Sequence, residues 1–219
     1  MGEPVLVESV KNDAKIRLAS MKRLLRNLQQ DGLIYLHDDF LQTTTLQRVK
    51  LATLAFKLGA DYERVCSCLD WKEFEDVAAI ALEMCGYEVT SNVRFRQGGR
   101  KWELDIVGCR RPIVVCIDCK HWLRGLYPSK LKRVVDEQLE RTAAFSESFP
   151  NPAVRVECAS WEEARFVPVI LSLMPASFKI YKKTPLVPIL QVQDFLTQLP
   201  MCLDSFRSFD KTQPHLKTA

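Results

Sequence analysis

Two aspartates and a lysine interrupt an otherwise apolar stretch over residues 101–122. Asp105 lies inside the run LDIV, and Asp118 and Lys120 lie at the end of the apolar run Ile113–Ile117. Carboxylates and an ammonium group at the end of apolar strands are costly to remove from water unless they pair with one another or hold a metal ion. The types and positions of these residues therefore indicate a charged site.

Two strands joined by a short turn would position these side chains. The run Ile113–Ile117 is apolar at every position, which is typical of a central strand covered on both faces. Side chains alternate along a strand, so Asp118 and Lys120 are predicted on one face and Cys119 on the other. Asp105 belongs to the preceding strand, and the two carboxylates are therefore expected on adjacent strands.

Residues of these types suit the hydrolysis of a phosphodiester. The reaction needs charge neutralisation on the phosphoryl oxygens and a hydroxide-like nucleophile, and one or two Mg²⁺ ions held by a few carboxylates supply both. Asp105 and Asp118 would hold such an ion, with the backbone carbonyl of Cys119 as a further ligand. Lys120 would orient the attacking water or stabilise the transition state. The alternative is an ordinary ion pair between Asp118 and Lys120.

The arrangement of Asp105, a gap of turn and strand, and then Asp118-x-Lys120 resembles the motif of PD-(D/E)xK nucleases. Residues 74–120 resemble the restriction-endonuclease-like superfamily, closest to its archaeal Holliday-junction-resolvase and Mrr-like branches. These families place a glutamate early in the first helix, here Glu75, and end that helix at a Gly-aromatic pair, here Gly86-Tyr87.

The resemblance implies roles for four residues. Glu75 would be an outer carboxylate of the metal site, Asp105 and Asp118 would be metal ligands, and Lys120 would be the catalytic lysine. Mg²⁺ would be the cofactor, and Mn²⁺ could replace it. Two neighbours of Glu75, Glu73 and Asp76, could equally take the acidic role on the helix, or Glu75 could be an ordinary glutamate at a helix start.

The order of apolar patterns predicts an α/β fold: a restriction-endonuclease-like α/β/α sandwich with a central mixed sheet, over residues 70–200. Asp70 is expected to cap the first helix, and Gly86 to end it. Residues 96–100, RQGGR, are expected to be a flexible basic loop. A helix is predicted from about Lys130 to Ser146, and residues 201–219 are expected to be a C-terminal tail. The apolar positions of that helix predicted to face inward are Leu131, Val134, Val135, Leu139 and Ala143.

Residues 1–65 are predicted to be a small helical domain. A helix over Lys15–Gln30, a hairpin around His37-Asp38-Asp39 and a second helix over Leu46–Leu58 loosely resemble part of a winged-helix unit. Lys15–Gln30 would then be the DNA-recognition helix. The equal alternative is a packing or dimerisation domain with a solvated basic face.

Basic residues are frequent near the proposed site in the sequence. As a group they suit a track that binds DNA phosphates, and His121 and Trp122 would be further substrate contacts. The basic residues of this track are Arg94, Arg96, Arg100, Arg124, Lys130, Lys132 and Arg133.

Composition excludes several other classes. The net charge of +4 permits a polyanionic partner without requiring one. No run approaches the roughly 20 apolar residues of a membrane span, and no signal peptide is recognisable, so a soluble, intracellular, cytoplasmic protein is expected. The glycine loops of nucleotide-binding folds are absent, which argues against a nucleotide cofactor. The cysteines are expected to be buried free thiols, with a zinc or iron–sulfur regulator as the alternative.

The sequence thus predicts a Mg²⁺-dependent endonuclease that hydrolyses DNA in repair, recombination or restriction. The alternative is a non-catalytic nucleic-acid-binding protein of the same fold. Cleavage of both strands of a duplex would favour a homodimer. The DNA structure that is cut, and the choice between DNA and RNA, stay open.

Overall fold

A computed structural model of the chain describes residues 2–61, 64–65, 68–120, 128–151, 154–173 and 179–212. The protein belongs to the α/β class, as predicted. It divides into two compact units, residues 1–73 and residues 74–219.

The N-terminal unit combines short helices with a small antiparallel sheet of order β1–β3–β2. Its elements are β1 (Val5–Leu6), α1 (Val7–Ala14), α2 (Leu18–Gln30), β2 (Tyr35–His37), β3 (Phe40–Gln42) and α3 (Thr45–Lys57). Val7, Met21, Leu25 and Ile34 form its buried core. The predicted hairpin and the predicted last helix of this region are confirmed.

The first predicted helix is shorter than expected. It was predicted over Lys15–Gln30, but α2 begins at Leu18. Lys15 ends α1 in the left-handed conformation, with φ 53°, and its backbone N–H donates to the carbonyl of Asn12. Arg17 is extended, so the chain turns between two helices instead of continuing one.

The C-terminal unit is built on a mixed sheet of order β4–β5–β6–β7–β9–β8, in which β10 also pairs with β7. The β6–β7 and β7–β9 pairs are parallel and the other pairs are antiparallel. Its helices and strands, with α4 beginning just before the unit boundary, are α4 (Trp71–Met84), β4 (Glu88–Gln97), β5 (Arg100–Arg110), β6 (Ile113–Lys120), α5 (Pro128–Glu147), β7 (Glu163–Ser172), β8 (Ile180–Tyr181), β9 (Thr184–Pro188), α6 (Val192–Cys202) and β10 (Phe209–Thr212).

Helix α4 begins at a capping box. The Asp70 carboxylate accepts the backbone N–H of Glu73 at 2.7 Å, and the Glu73 carboxylate accepts the backbone N–H of Asp70 at 3.1 Å. Gly86 follows the helix at φ 79°, a conformation that glycine adopts without strain. The predicted start and end of this helix are therefore confirmed.

Helices α4 and α5 cover opposite faces of the sheet around β5. On one face, a Cβ on Gly108 would lie only 2.3 Å from Leu82 Cδ2, so α4 packs against the bare backbone of β5. The neighbouring residue Val107 points to the other face, where it belongs to one buried cluster with Phe145 of α5. The Phe145 ring lies 5.0 Å from that of Phe95, measured between centroids.

The segment RQGGR is a tight hairpin turn and not the flexible loop that was predicted. Gln97 pairs with Arg100 at the end of the β4–β5 ladder. Gly98 and Gly99 have φ values of 57° and 76°, and two successive positive φ values are those of the type I′ turn that joins strands most closely. The basic side chains of this segment are therefore carried on a two-stranded ribbon.

The predicted C-terminal tail contains a strand of the sheet. Phe209–Thr212 pairs antiparallel with β7 residues 163–166, while β9 pairs with residues 170–172 of the same strand. Pro168 lies in the gap between these two ladders, which suits a residue that has no N–H to donate. The ion pair between Arg165 and Asp210, at 2.9 Å, also joins β7 to β10. Residues 213–219 lie outside the described part.

Candidate active site

A charged cluster lies at the end of the sheet where β5 and β6 separate. The last residue pair between these strands is Ile106 with Ile117. Beyond it, Asp118 and Lys120 continue in parallel pairing with β7, and β5 continues in pairing with β4 alone. Beyond this pair, Asp118 has no ladder partner on β5.

Asp118 is buried, with 2% of its surface exposed, and two cations contact it. Lys120 Nζ lies 2.8 Å from Oδ1 and 2.7 Å from Oδ2. Arg141 of α5 donates to Oδ1 at 2.5 Å. Oδ2 accepts no hydrogen bond, because the Lys120 ammonium reaches it at ion-pair distance without hydrogen-bond geometry. Asp118 therefore has strong charge compensation, and its buried Oδ2 lies beside the Lys120 ammonium without accepting a hydrogen bond.

Asp105 lies on β5 next to the last β5–β6 pair. Its Oδ2 accepts the backbone N–H of Cys119 at 2.7 Å, an amide beyond the last β5–β6 pair. Burial, and next the negative charge of Asp118, raise the pKa of Asp105 to about 6. The hydrogen bond from Cys119 and the charge of Lys120 oppose this shift. The two predicted aspartates are thus close enough to repel each other.

Glu75 is the acidic residue of α4 whose charge reaches this site, where it raises the pKa of Asp105 further. The two alternatives have other positions. The Glu73 carboxylate accepts the backbone N–H of Asp70 in the capping box and forms an ion pair with Arg48. Asp76 is exposed to solvent. Of the three carboxylates that the sequence offered, Glu75 is the one placed near Asp105.

Carboxylates are ligands that Mg²⁺ prefers. Within the described residues, no three or more His, Cys, Asp and Glu side chains are arranged to hold a metal ion by themselves. Mg²⁺ needs only one or two carboxylates, because water and phosphate oxygens complete its coordination. Asp105 and Asp118 would be that minimal set, with Lys120 beside Asp118 Oδ2, and Glu75 would be an outer carboxylate. The backbone carbonyl of Cys119 remains a predicted ligand.

Two site residues on α5 were not predicted. Arg141 contacts Asp118, and the side-chain amide of Gln138 donates to the carbonyl of Cys116 at 2.7 Å. The face of α5 that is buried against the sheet includes the polar residues Gln138 and Thr142. Leu139 and Ala143 were predicted to face inward but are only half-buried. The helical spacing of the buried residues could have indicated this face if a polar residue had been accepted within it. Those residues are Leu131, Val134, Val135, Gln138 and Phe145.

The predicted basic track is only partly assembled. Arg94, Arg96 and Arg100 lie on the β4–β5 ribbon, where Arg94 pairs with Glu103 at 3.2 Å and Arg96 is exposed. The Arg100 guanidinium lies 4.0 Å from the centre of the Trp102 ring, a cation–π contact. The ribbon thus presents both positive charge and an aromatic side chain.

The other predicted contacts lie at the start of α5 or outside the described residues. Lys130, Lys132 and Arg133 are exposed on the first turns of α5, and Arg133 pairs with Glu137 at 3.6 Å. His121, Trp122 and Arg124 belong to the undescribed segment 121–127.

The cysteines of the described residues are free thiols, but Cys68 is exposed and Cys85 and Cys202 are half-buried, so burial was predicted correctly for only part of them. The buried ones are Cys109, Cys116, Cys119 and Cys158. Burial raises the pKa of the Cys116 thiol well above its ordinary value, so this group stays protonated near neutral pH. No cluster suited to zinc is found in the described ranges. None of the described helices is long and apolar enough to cross a membrane.

Comparison with known proteins adds one relative in sequence. No family profile matches the chain. An uncharacterized protein of Archaeoglobus fulgidus is 26% identical over 137 residues, which are 62% of this chain and 96% of that protein.

Two solved structures share limited similarity with the chain. A Vibrio cholerae protein is 13% identical with a TM-score of 0.40, covering 92% of this chain and 46% of its own. The small subunit of the heterodimeric restriction endonuclease R.BspD6I is 14% identical with a TM-score of 0.34. The similarity covers 61% of this chain and 70% of that subunit. Scores this low define no common fold.

Proposed function

We propose that residues 74–219 form a Mg²⁺-dependent endonuclease of the restriction-endonuclease-like superfamily, acting on DNA in repair, recombination or restriction. The order of helix, three antiparallel strands, helix and parallel strand agrees with the sandwich that the sequence resemblance implies. The supporting observation is the convergence of Asp105, Asp118 and Lys120 where β5 and β6 separate.

Each residue has a distinct role in this proposal. Asp105 and Asp118 hold the cation, and Glu75 adds negative charge farther out. The bound Mg²⁺ supplies charge neutralisation and an activated water. Lys120, fixed beside Asp118, orients that water or stabilises charge on the phosphate in the transition state.

The β4–β5 ribbon would bind the DNA strand that leads to the site. The part of β5 that lies beyond the last β5–β6 pair comprises residues 100–105. At the usual rise of a strand, this part is about 20 Å long. Arg96 and Arg100 would contact phosphates, and Trp102 offers a ring on which an unpaired base could stack.

The N-terminal unit would be a winged-helix-like DNA-binding domain. Its sheet order, two helices before the β2–β3 hairpin and exposed Lys22, Arg23 and Arg26 on α2 support this assignment. Packing or homodimerisation through the same unit is the alternative, and a two-fold dimer would let two active sites cut a duplex.

A cleavage assay tests the proposal. Labelled duplex, single-stranded, flap and four-way-junction DNA, with an RNA strand for comparison, would be incubated with Mg²⁺, Mn²⁺ or EDTA. The native protein should cut at least one DNA substrate with Mg²⁺ or Mn²⁺, and Asp105→Ala and Lys120→Ala should not. Asp210→Ala is the matched control, because it removes a strand carboxylate at the opposite end of the sheet.

A second candidate is a non-catalytic nucleic-acid-binding protein of the same fold. It is favoured by the two cations that already neutralise Asp118 and by the small number of carboxylates nearby. Retention of DNA by the native protein and both variants, with no cutting of any substrate, would select this candidate.

A further inference from the structure

Arg141 occupies the position from which a residue could respond to metal binding. Its guanidinium donates to Asp118 Oδ1 at 2.5 Å, and Lys120 contacts the same oxygen at 2.8 Å. A divalent cation bound to Asp118 would add two further positive charges next to both of them. Like charges at such distances repel each other, which favours the withdrawal of one of the two side chains.

Arg141 is the one that can withdraw without leaving a charge unpaired. A second carboxylate, Glu137, lies one helical turn earlier, with its Oε2 3.7 Å from the Arg141 guanidinium. The Arg141 side chain is 27% exposed, whereas Lys120 is on the same strand as Asp118, only two residues away. The guanidinium can therefore turn towards solvent while Glu137 keeps it paired.

We propose that Arg141 exchanges partners: it binds Asp118 in the metal-free protein and binds a phosphate of the DNA when the cation is bound. The inference rests on the proposed function. A guanidinium presents parallel N–H groups that match two oxygens of a phosphate, which an ammonium cannot do. Arg141 thus has two roles at different times, one as a substitute for the cation and one as a substrate contact.

Asp118 and Arg141 each have a partner of opposite charge in both states. Without the cation, Lys120 and Arg141 compensate Asp118. With the cation and DNA, the divalent ion compensates Asp118 and Asp105, and the phosphate takes over Arg141. The exchange thus links cation binding to DNA binding: each ligand is expected to raise the affinity for the other.

Binding measurements on the full chain test the exchange without relying on cleavage. Mn²⁺ binding would be followed by the electron paramagnetic resonance signal of the free ion. Arg141→Gln is expected to bind Mn²⁺ about tenfold more tightly than the native protein, because it removes a competing positive charge. Arg165→Gln is the matched control, since Arg165 also pairs with two carboxylates, Asp204 and Asp210, but at the far end of the sheet.

DNA binding supplies the second readout. The affinity for a short duplex would be measured with EDTA and with Ca²⁺. The increase in affinity from Ca²⁺ should shrink at least fivefold in Arg141→Gln. Arg141→Lys keeps the charge but not the planar group, so it should bind Mn²⁺ like the native protein and still show a smaller increase.

The outcomes separate this inference from the proposed function. If the native protein binds Mn²⁺ and Asp118→Asn does not, but Arg141→Gln binds it equally or more weakly, Arg141 is structural and the exchange is wrong while the metal site stands. If the native protein and Arg141→Gln both fail to bind Mn²⁺, the proposed nuclease site and the exchange are both overturned.

Discussion

The Asp105 carboxylate accepts the backbone N–H of Cys119 across a gap in the β5–β6 ladder. The hydrogen bond replaces one that a strand partner would have made, so the carboxylate both completes the sheet and borders the charged site. Its position is consequently fixed by the backbone of β6. In the proposed metal site, such a contact would hold Asp105 in place before a cation binds.

The first prediction concerns the stability of Asp105→Asn. Since burial and Asp118 raise the pKa of Asp105 from 3.8 to about 6, the folded state prefers the protonated carboxyl group. The native protein therefore loses stability as the pH rises from 4 through 6, by about 2 to 3 kcal/mol in metal-free buffer. Asparagine imitates the protonated form, so the variant should be the more stable protein at pH 8 and equal at pH 4.

Urea unfolding with EDTA at pH 4 and pH 8 would measure this difference. Asp210→Asn, which removes an exposed carboxylate, serves as the control and should show no increase in stability at pH 8. A variant of Asp105 that is less stable than the native protein at pH 8 would mean that its ionised carboxylate stabilises the fold.

A second prediction concerns Lys120 and the rate of cleavage. Removing one preorganised charge that stabilises a transition state lowers the rate by roughly 10² to 10³. Lys120→Ala should therefore cut the preferred DNA substrate at least about a hundredfold more slowly in single-turnover assays with Mg²⁺. Lys182→Ala, which removes an exposed lysine that pairs with Asp136, should cut at the native rate. Equal rates for both variants would remove Lys120 from the mechanism.

Gly108 should be intolerant of a side chain. A Cβ at this position would lie 2.3 Å from Leu82 Cδ2, so Gly108→Ala requires the buried Leu82 side chain, or α4 with it, to shift. We expect a loss of about 1 to 3 kcal/mol in the free energy of unfolding. Leu82→Ala added to Gly108→Ala should recover part of that loss, which a double-mutant cycle would show. Purely additive effects would mean that the two residues do not press against each other.

The basic ribbon should contribute to DNA affinity by neutralising phosphates. Arg96→Glu is expected to weaken duplex binding and to reduce the slope of log affinity against log salt concentration by about 0.9 for each phosphate that the protein no longer neutralises. Arg207→Glu makes the same charge change on an exposed arginine before β10 and should leave the slope unchanged. If Arg96→Glu and Arg207→Glu reduced the slope of log affinity against log salt concentration equally, the effect would be one of net charge alone.

The N-terminal unit offers a fifth prediction. Lys22→Glu and Arg26→Glu on the exposed side of α2 should reduce DNA affinity if this helix contacts the groove. Lys50→Glu on α3 is the control. If both α2 variants bind DNA normally but change the oligomeric state measured by light scattering, the unit serves dimerisation instead.

The sequence predicted the strands that carry the site, because long apolar runs broken by charge can be read without knowledge of contacts. It did not predict Arg141, since α5 buries polar residues such as Gln138, whose side-chain amide is satisfied by the Cys116 carbonyl. Of the predicted apolar face, Leu131, Val134 and Val135 are buried as expected, whereas Leu139 and Ala143 are only half-buried.

The break between α1 and α2 was missed for a different reason. It rests on one left-handed residue, Lys15, which is neither glycine nor asparagine. Strand β10 was missed because its pairing with β7 depends on residues some 45 positions apart, such as Phe166 and Phe209.

The β4–β5 ribbon also has a consequence for solubility. Among the described residues, β5 has no partner on its β6 side before Ile106, so its backbone groups there form an open sheet edge. Open edges invite pairing with other chains, and charged side chains discourage it. Arg100, Lys101 and Glu103 stand on this edge. Replacing these three charged residues with apolar ones is therefore expected to promote pairing between copies of the protein at this edge.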